Sequence, residues 1–178
     1  EQGLRRIDVP LDGQVSTFND QALVTIKFDW NVAGRRYLSG SLLAMPWDEF
    51  IAGKRDFKVL FVPTARTSLE AFSTTRNYVL VNTLDNIRSR LYAHSLQDGV
   101  WTQRELATPE FGNVEIDPVD SLRSDEYFLT ATDFLTPSTL SYGNVGDAAR
   151  EQLKQSPAFF DAKGLRVSQH EAGSKDGT

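Results

Sequence analysis

The chain has 178 residues, enough for one domain with its own core, and its 40% hydrophobic and 24% charged residues exclude a disordered protein. The formal net charge is −5 and the nearest approach to a basic cluster is Arg35-Arg36, so no nucleic-acid or membrane partner is expected. Cysteine is absent, which excludes disulfides and thiolate chemistry. No apolar stretch reaches the roughly 18–20 residues that span a bilayer, so we expect a soluble protein, cytoplasmic or periplasmic.

Short apolar or alternating runs predict an all-β fold. Apolar residues occupy every second position near the end of Leu23–Trp30, the period-2 signature of a strand with one buried face. Aromatic and β-branched residues mark two further buried strands, Tyr78–Leu84 and Tyr127–Thr132.

Two segments carry helix signals. Trp47–Ala52 is followed by Gly53, a residue typical of a helix C-terminus. Asp147–Gln155 is the stronger helix prediction, because it starts with an N-capping Asp, is rich in helix formers, and has Pro157 just beyond it.

The strand runs recur with a period of nearly 50 residues. Segments stop at Pro10, Pro63, Pro109 and Pro157, which lie 46 to 53 residues apart. Each interval contains a short run, a long strand and a third strand in the same order. The short runs begin at Val15, Leu69 and Val114; the long strands occupy Leu23–Trp30, Asn77–Asp85 and Glu126–Phe134; the third strands occupy Ser41–Met45, Arg90–Leu96 and Thr139–Tyr142. Four short strands in about 40–50 residues is the period of propeller blades.

The repeat predicts a partial β-propeller of about three four-stranded blades, with a β-sandwich as the alternative. We assign residues 1–10 to the outer strand of a preceding blade, 11–63, 64–109 and 110–164 to three blades, the last with a short helix, and 165–178 to a segment after them. Three blades do not close a ring, so we expect two uncovered apolar faces through which the chain self-associates or binds the missing blades.

No catalytic, cofactor-binding or metal-binding residue is assigned, and no cofactor is expected. The Gly-x-Ser-x-Gly nucleophile elbow, the phosphate-binding loop and the dinucleotide-binding pattern are all absent. The two histidines, His94 and His170, are interpreted as ordinary structural residues, because a catalytic or zinc-binding His needs partners that the sequence does not indicate.

Acidic residues are concentrated in one segment, at Glu115, Asp117, Asp120, Asp125 and Glu126. Alternate carboxylates could bind calcium, or Asp117 and Asp120 could act as an acid/base pair in glycoside cleavage. The segment lacks the ligand spacing of an EF-hand, so solvated loop charges are favoured. The three tryptophans are assigned to the core between sheets rather than to a sugar- or peptide-binding groove: Trp30, Trp47 and Trp101.

Several segments resemble the prolyl oligopeptidase family of serine peptidases. Residues 169–178, ending in Ser-Lys-Asp-Gly-Thr, are similar to the family's junction between its propeller and its hydrolase domain, except that Gly173 replaces the usual Thr. Further similar segments are Gly40–Ala44, Leu60–Leu69, Leu84–Leu91 and Ala131–Leu140.

The resemblance implies an α/β-hydrolase domain with a Ser-Asp-His triad, capped by a seven-bladed propeller that admits only short peptides to a site cleaving after proline. On that mapping the chain is the C-terminal part of the propeller: its last three blades, one strand of the blade before, and a lead-in at 165–178 to a hydrolase domain that is absent. The triad would lie downstream, so no triad residue is carried over and His170 is not one of them.

The resemblance favours a non-catalytic propeller segment that gates short proline-containing peptides, with the hydrolase domain and the remaining blades as partners. Both chain ends agree with this prediction, since the chain starts at Glu1 without an initiator Met and stops at an Asp-Gly turn with no return strand. The alternatives are a stand-alone binding module for protein or carbohydrate partners, and a glycosidase that uses the Asp117/Asp120 region.

Overall fold

The computed structural model describes residues 6–170, Ala172 and Lys175. The described residues form fourteen strands and one short helix. The strands are β1 Gln14–Phe18, β2 Gln21–Thr25, β3 Trp30–Val32, β4 Arg35–Tyr37, β5 Leu42–Pro46, β6 Lys58–Phe61, β7 Thr67–Thr74, β8 Val79–Asp85, β9 Arg88–Gln97, β10 Val100–Leu106, β11 Asn113–Pro118, β12 Glu126–Thr132, β13 Thr139–Asn144 and β14 Glu151–Gln155; the helix is α1, Trp47–Ile51.

Three antiparallel sheets of four strands follow one another along the chain. The first sheet has the order β1-β2-β5-β6, the second β7-β8-β9-β10 and the third β11-β12-β13-β14. A separate hairpin, β3-β4, lies between β2 and β5 in the chain. Three successive meanders of four strands are the architecture of propeller blades, which confirms the predicted partial propeller.

The second sheet is packed between the other two. Val79 and Val81 of β8 join a core cluster with Leu23 and Leu42 of the first sheet. Leu80, between them in sequence, joins the cluster that contains side chains of the third sheet. Because successive side chains of a strand point to opposite faces, β8 contributes to both interfaces. Three stacked sheets distinguish this arrangement from a two-sheet sandwich.

The outer face of the first sheet is covered by its own chain. Ala22, Val24 and Leu43 are buried there, beneath a layer that includes Tyr37 of β4 and Phe50 of α1. Further members of that layer are Ile7, Val9, Trp30, Trp47, Ile51 and Phe57. The expectation of two uncovered apolar faces is therefore wrong for the first sheet, because the hairpin and the helix supply apolar side chains to this face.

The predicted helix at Asp147–Gln155 is wrong. The chain instead forms β14, which pairs with β13 and completes the third sheet. Every residue of β14 is exposed, and Leu153 is the one large apolar residue of the predicted helix, too little for a helix to bury against a core. Pairing with the free edge of β13 outweighs the helix propensity of the segment. The helix predicted at Trp47–Ala52 is confirmed by α1, and Gly53 follows it with a φ of 93°.

The long strand predicted at Leu23–Trp30 is broken. β2 ends at Thr25 and β3 begins at Trp30, with Phe28 exposed between them. Side chains hold the intervening loop: Asp12 Oδ2 accepts from the Lys27 N–H at 2.8 Å, and Asp29 Oδ1 accepts from the Ser39 N–H at 2.8 Å. The long strands predicted in the other two repeats are confirmed by β8 and β12.

The two ends of the described chain contain no strand or helix. Residues 6–10 form no strand, and residues 1–5 lie outside the described residues, so the assignment of 1–10 to a preceding blade stays a prediction. Residues 165–170 have no regular structure, and most of the junction-like run after them is also outside the described residues. No helix in the described part of the chain is long and apolar enough to cross a membrane.

Candidate functional site

A cavity of about 300 Å³ lies between the first strands of the second and third sheets. Residues 70–73 of β7 and Asn82 of β8 line one side, and residues 113–117 of β11 line the other. Both β7 and β11 are edge strands, so each has backbone N–H and C=O groups without a partner inside its own sheet. β7 and β11 also contact each other, and we call the cavity between them the inner cleft.

Local sequence explains the shape of the two strands that border the inner cleft. The pairing of β7 with β8 is irregular between Leu69 and Ala71, which leaves Glu70 as the extra residue of a bulge. In β11, Val114 is buried in the core shared with the second sheet. The residue after it, Glu115, is exposed and projects from the opposite face of β11, as the alternation of a strand requires.

Asn82 is the most unusual residue of the cleft. It is only 3% exposed, and its Nδ2 donates to the backbone carbonyl of Val114 at 2.8 Å. Its Oδ1 is buried without a hydrogen-bond partner, and so is the Oγ of Ser73 in the same lining. Buried polar atoms without partners are costly, so these two oxygens mark a place where a donor is missing.

Acidic residues occur on both sides of the inner cleft. Glu70, Glu115 and Asp117 are among its lining residues, and no Lys, Arg or His is. Glu115 and Asp117 alternate with Val114 and Ile116, which pack in the core shared with the second sheet, so the side chains of these two acidic residues project from the other face of β11. The ring of Phe72 packs against the core between the first two sheets.

The remaining acidic residues of the predicted cluster serve other purposes. Asp125 accepts hydrogen bonds from Thr75 Oγ1, Asn77 N–H and Asn77 Nδ2 at 2.8, 2.8 and 2.6 Å, and so joins the third sheet to the β7–β8 turn. Asp120 accepts from the Leu122 N–H at 3.0 Å within its own loop. Glu126 accepts from the hydroxyl of Tyr142, and this bond is the main cause that raises the pKa of Tyr142. The structure therefore does not gather the predicted acidic residues into one site.

Neither histidine is placed in a catalytic arrangement. His94 lies in β9, is 4% exposed, and burial lowers its pKa to about 4, so it is neutral near pH 7. His170 is exposed and lies 3.0 Å from Ser168 through Nε2 and Oγ. Among residues 6–170, Ala172 and Lys175, no group of three His, Cys, Asp or Glu is arranged to hold a metal ion.

The tryptophans pack as predicted, against the core. Trp30 lies 5.5 Å from Phe57 and Trp47 lies 5.9 Å from Phe50, between ring centroids, on the covered face of the first sheet. Trp101 packs in the interface of the first two sheets. Arg35 and Arg36 are both paired, with Asp56 and Asp29. None of these residues belongs to the inner cleft.

Sequence reasoning singled out Glu115 and Asp117 but missed the other residues that line the inner cleft. The signal that could have found the rest of the cleft is Asn82, a polar side chain that follows the apolar residues 79–81 of β8. A polar residue at such a position is buried and needs partners, so it indicates a local requirement other than packing.

Comparisons with known proteins agree with this architecture. A sequence model described as "Prolyl oligopeptidase, N-terminal beta-propeller domain" matches residues 37–156. An uncharacterized peptidase of Sinorhizobium fredii is 31% identical over 164 residues, covering 90% of this chain and 22% of that protein. An uncharacterized peptidase of Rickettsia prowazekii is 24% identical over 178 residues, covering 98% of this chain and 24% of that protein.

A solved structure has the same fold. The post-proline cleaving enzyme from Rickettsia typhi superposes with a TM-score of 0.77 at 23% identity, covering 97% of this chain and 25% of that chain. This chain therefore spans about a quarter of the length of the relatives that it matches. The matched propeller is the N-terminal domain of the proteins of this family. We expected the chain to be the C-terminal part of that propeller. The match does not support this placement within the propeller, which stays a prediction. Since the match covers most of the chain, the chain belongs to the prolyl oligopeptidase family, in its N-terminal β-propeller domain.

Proposed function

We propose that this chain is a non-catalytic segment of the propeller of a serine peptidase, and that it gates the access of short proline-containing peptides to a hydrolase domain. The observation that carries the proposal is that the second and third sheets converge at their first strands, where β11 contacts β7. In a propeller the first strands of the blades surround the central channel, so their exposed side chains set its width. The similar structure from Rickettsia typhi is that of a post-proline cleaving enzyme, which supports the substrate class.

An exposed aromatic patch supports the partner domain. Phe134, Phe159 and Phe160 are 67%, 92% and 54% exposed, and together they border a cavity of about 280 Å³ beside the third sheet. Exposed aromatic clusters of this kind mark interaction surfaces. We infer that the hydrolase domain of the parent protein covers this patch.

The gating proposal is tested with peptides of two lengths in the parent enzyme. Ala71 is exposed on the inner strand β7, and Ala71→Trp would narrow the channel. We expect a larger loss of kcat/KM for a long proline-containing peptide than for a short one. The matched control is Val100→Trp on β10, at the opposite edge of the same sheet, which should change neither value. Equal losses for both lengths would refute gating.

The absence of catalysis in this chain is tested separately. The 178-residue chain alone, incubated with a chromogenic proline-containing peptide, should show no turnover, whereas turnover would overturn the proposal. The partner surface is tested in the parent protein by Phe159→Ser, with Phe28→Ser, an exposed position between β2 and β3, as the control. We expect Phe159→Ser alone to separate the unfolding transitions of the two domains.

A further inference from the structure

We propose that the outer face of the third sheet, the face turned away from the second sheet, binds a cationic surface on another blade of the parent propeller. Such a partner depends on the proposed function, in which this chain is a segment of a larger propeller. The chain spans about a quarter of the length of the relatives that it matches, so a protein of their length has room for further blades. The charge of the partner follows from the side chains of the outer face.

The outer face of the third sheet is apolar at its centre and lacks a cover within the described chain. Tyr127 and Leu129 of β12 point to the second sheet and are 3% and 1% exposed. Phe128, between them, points the other way and is only half-buried, with its ring centroid 5.8 Å from that of Tyr142 on β13. By contrast, residues 79–81 of β8, which lies between two sheets, are all 0% exposed. Continuation of the same stacking by one more blade would cover the pair formed by Phe128 and Tyr142.

Carboxylates surround this aromatic pair. Strand pairing places Asp117 directly opposite Phe128, and Glu151 directly opposite Tyr142. Lys154 is the only cationic residue that the four strands place on this face. The four carboxylates of the face are those of Glu115, Asp117, Glu126 and Glu151.

These carboxylates have no counter-ions of their own. Glu126 accepts from the hydroxyl of Tyr142, which is a neutral donor. The ion pairs found within the described chain use other acidic residues: Asp29, Glu49, Asp56, Glu105, Glu110 and Asp120. The outer face therefore presents negative charge that a partner can neutralise.

The cost of burying these charges selects the partner. A blade that covers Phe128 and Tyr142 also removes the surrounding carboxylates from water, and an unpaired carboxylate is costly to bury. A neutral or acidic cover would therefore lose part of the free energy gained from the aromatic contact. A cover with arginine or lysine side chains opposite the carboxylates supplies the missing counter-charges. A second copy of this chain on the same face is disfavoured, because it would bring like charges together.

The experiment compares the isolated chain with the parent protein through the melting temperature of the propeller. Asp117→Asn removes one charge and nearly keeps the shape of the side chain. In the isolated chain it relieves repulsion among the carboxylates, so we expect the melting temperature to rise or to stay within about 1 °C. In the parent protein it removes one partner of a covered ion pair, so we expect a fall of at least about 3 °C.

Two further variants separate charge from cover. Asp98→Asn, at an exposed position in the β9–β10 turn, is the matched control and should leave both melting temperatures within about 1 °C. Phe128→Ser removes the apolar centre and should lower the melting temperature more in the parent protein than in the isolated chain. If only Phe128→Ser has this larger effect in the parent protein, the cover is neutral and the proposal is wrong. An equal loss for Asp117→Asn in both proteins, or a loss for Asp98→Asn in the parent protein, would also overturn it. Gating is read separately, from the dependence of kcat/KM on peptide length.

Discussion

Asp125 binds Asn77 with both oxygens of its carboxylate, Oδ1 accepting from the backbone N–H at 2.8 Å and Oδ2 from Nδ2 at 2.6 Å. The two residues belong to different sheets, since Asn77 is in the β7–β8 turn and Asp125 directly precedes β12. The same turn is tied to the first sheet, because Asn19 Nδ2 donates to the Arg76 carbonyl at 3.2 Å. Hydrogen bonds at the β7–β8 turn therefore link all three sheets.

This link predicts the effect of Asp125→Ala. The substitution leaves Thr75 Oγ1 and two donors of Asn77 without their acceptor, and we expect a loss of about 2–3 kcal/mol in the free energy of unfolding. The control is Asp56→Ala, which removes an exposed ion pair with Arg35 and should cost less than about 1 kcal/mol. Urea denaturation measures both; similar losses for the two variants would show that Asp125 does not clamp the sheets.

A second prediction concerns the backbone between the second and third sheets. Gly112 has a φ of 130°, and a Cβ there would clash with the Thr132 carbonyl oxygen and lie 2.8 Å from Asp133 Cβ. Gly112→Ala therefore combines a strained backbone with overpacking, and we expect a loss of about 3 kcal/mol. Gly34→Ala is the control, because its φ is 73° but nothing lies within 4 Å, so only the backbone term of about 1 kcal/mol remains. Thermal unfolding compares the two, and equal shifts would exclude the clash.

A third prediction is a pH dependence caused by His94. Burial lowers its pKa to about 4, below the 6.5 of an unperturbed histidine. The unfolded state therefore binds more protons between these values, and the contribution of neutral His94 to stability is complete above pH 6.5 and is lost as the pH falls towards 4. At pH 5 the loss is about 2 kcal/mol relative to pH 7.5.

The measurement is the urea midpoint at the two pH values for the native chain and for His94→Leu. His94→Leu should lack this part of the pH dependence. His170→Leu is a matched control, since the chain has only two histidines and His170 is exposed. An unchanged pH dependence in His94→Leu would show that its titration is not responsible.

The sequence predicts the repeats well because each repeat encodes its own meander. The run Tyr78–Leu84 is apolar on both faces, and it becomes β8, a strand packed between two sheets. The helix prediction at Asp147–Gln155 failed because local propensity does not include the free edge of β13. The strand with which such a segment pairs decides its structure, and the propensity of the segment alone does not contain that strand.

The inner cleft could not be predicted for a related reason. Glu70 and Glu115 lie on different sheets, and only the stacking of those sheets brings them to one cavity. The lack of a partner at Asn82 Oδ1 is likewise a property of packing, because the sequence shows a polar residue in a strand but not what surrounds it. Covering of the first sheet by α1 was unforeseen, since a blade face is ordinarily covered by another blade.

A fourth prediction concerns self-association, which remains a proposal. With the outer face of the first sheet covered by its own chain, the outer face of the third sheet is the remaining candidate. Phe128 and Tyr142 lie on it with ring centroids 5.8 Å apart, since their neighbours Tyr127 and Leu129 face the second sheet. Glu126 also binds Tyr142, so the apolar centre of this face is bordered by negative charge.

Two copies joined through this face would bring like charges together, so we expect self-association to be weak at low salt and to increase when salt screens the carboxylates. Phe128→Ser should abolish it, because the substitution removes the aromatic centre of the face. Phe28→Ser, an exposed position near the first sheet, should leave it unchanged. Sedimentation velocity over a range of chain concentrations gives the result, and association that survives Phe128→Ser would mean that another surface joins the copies.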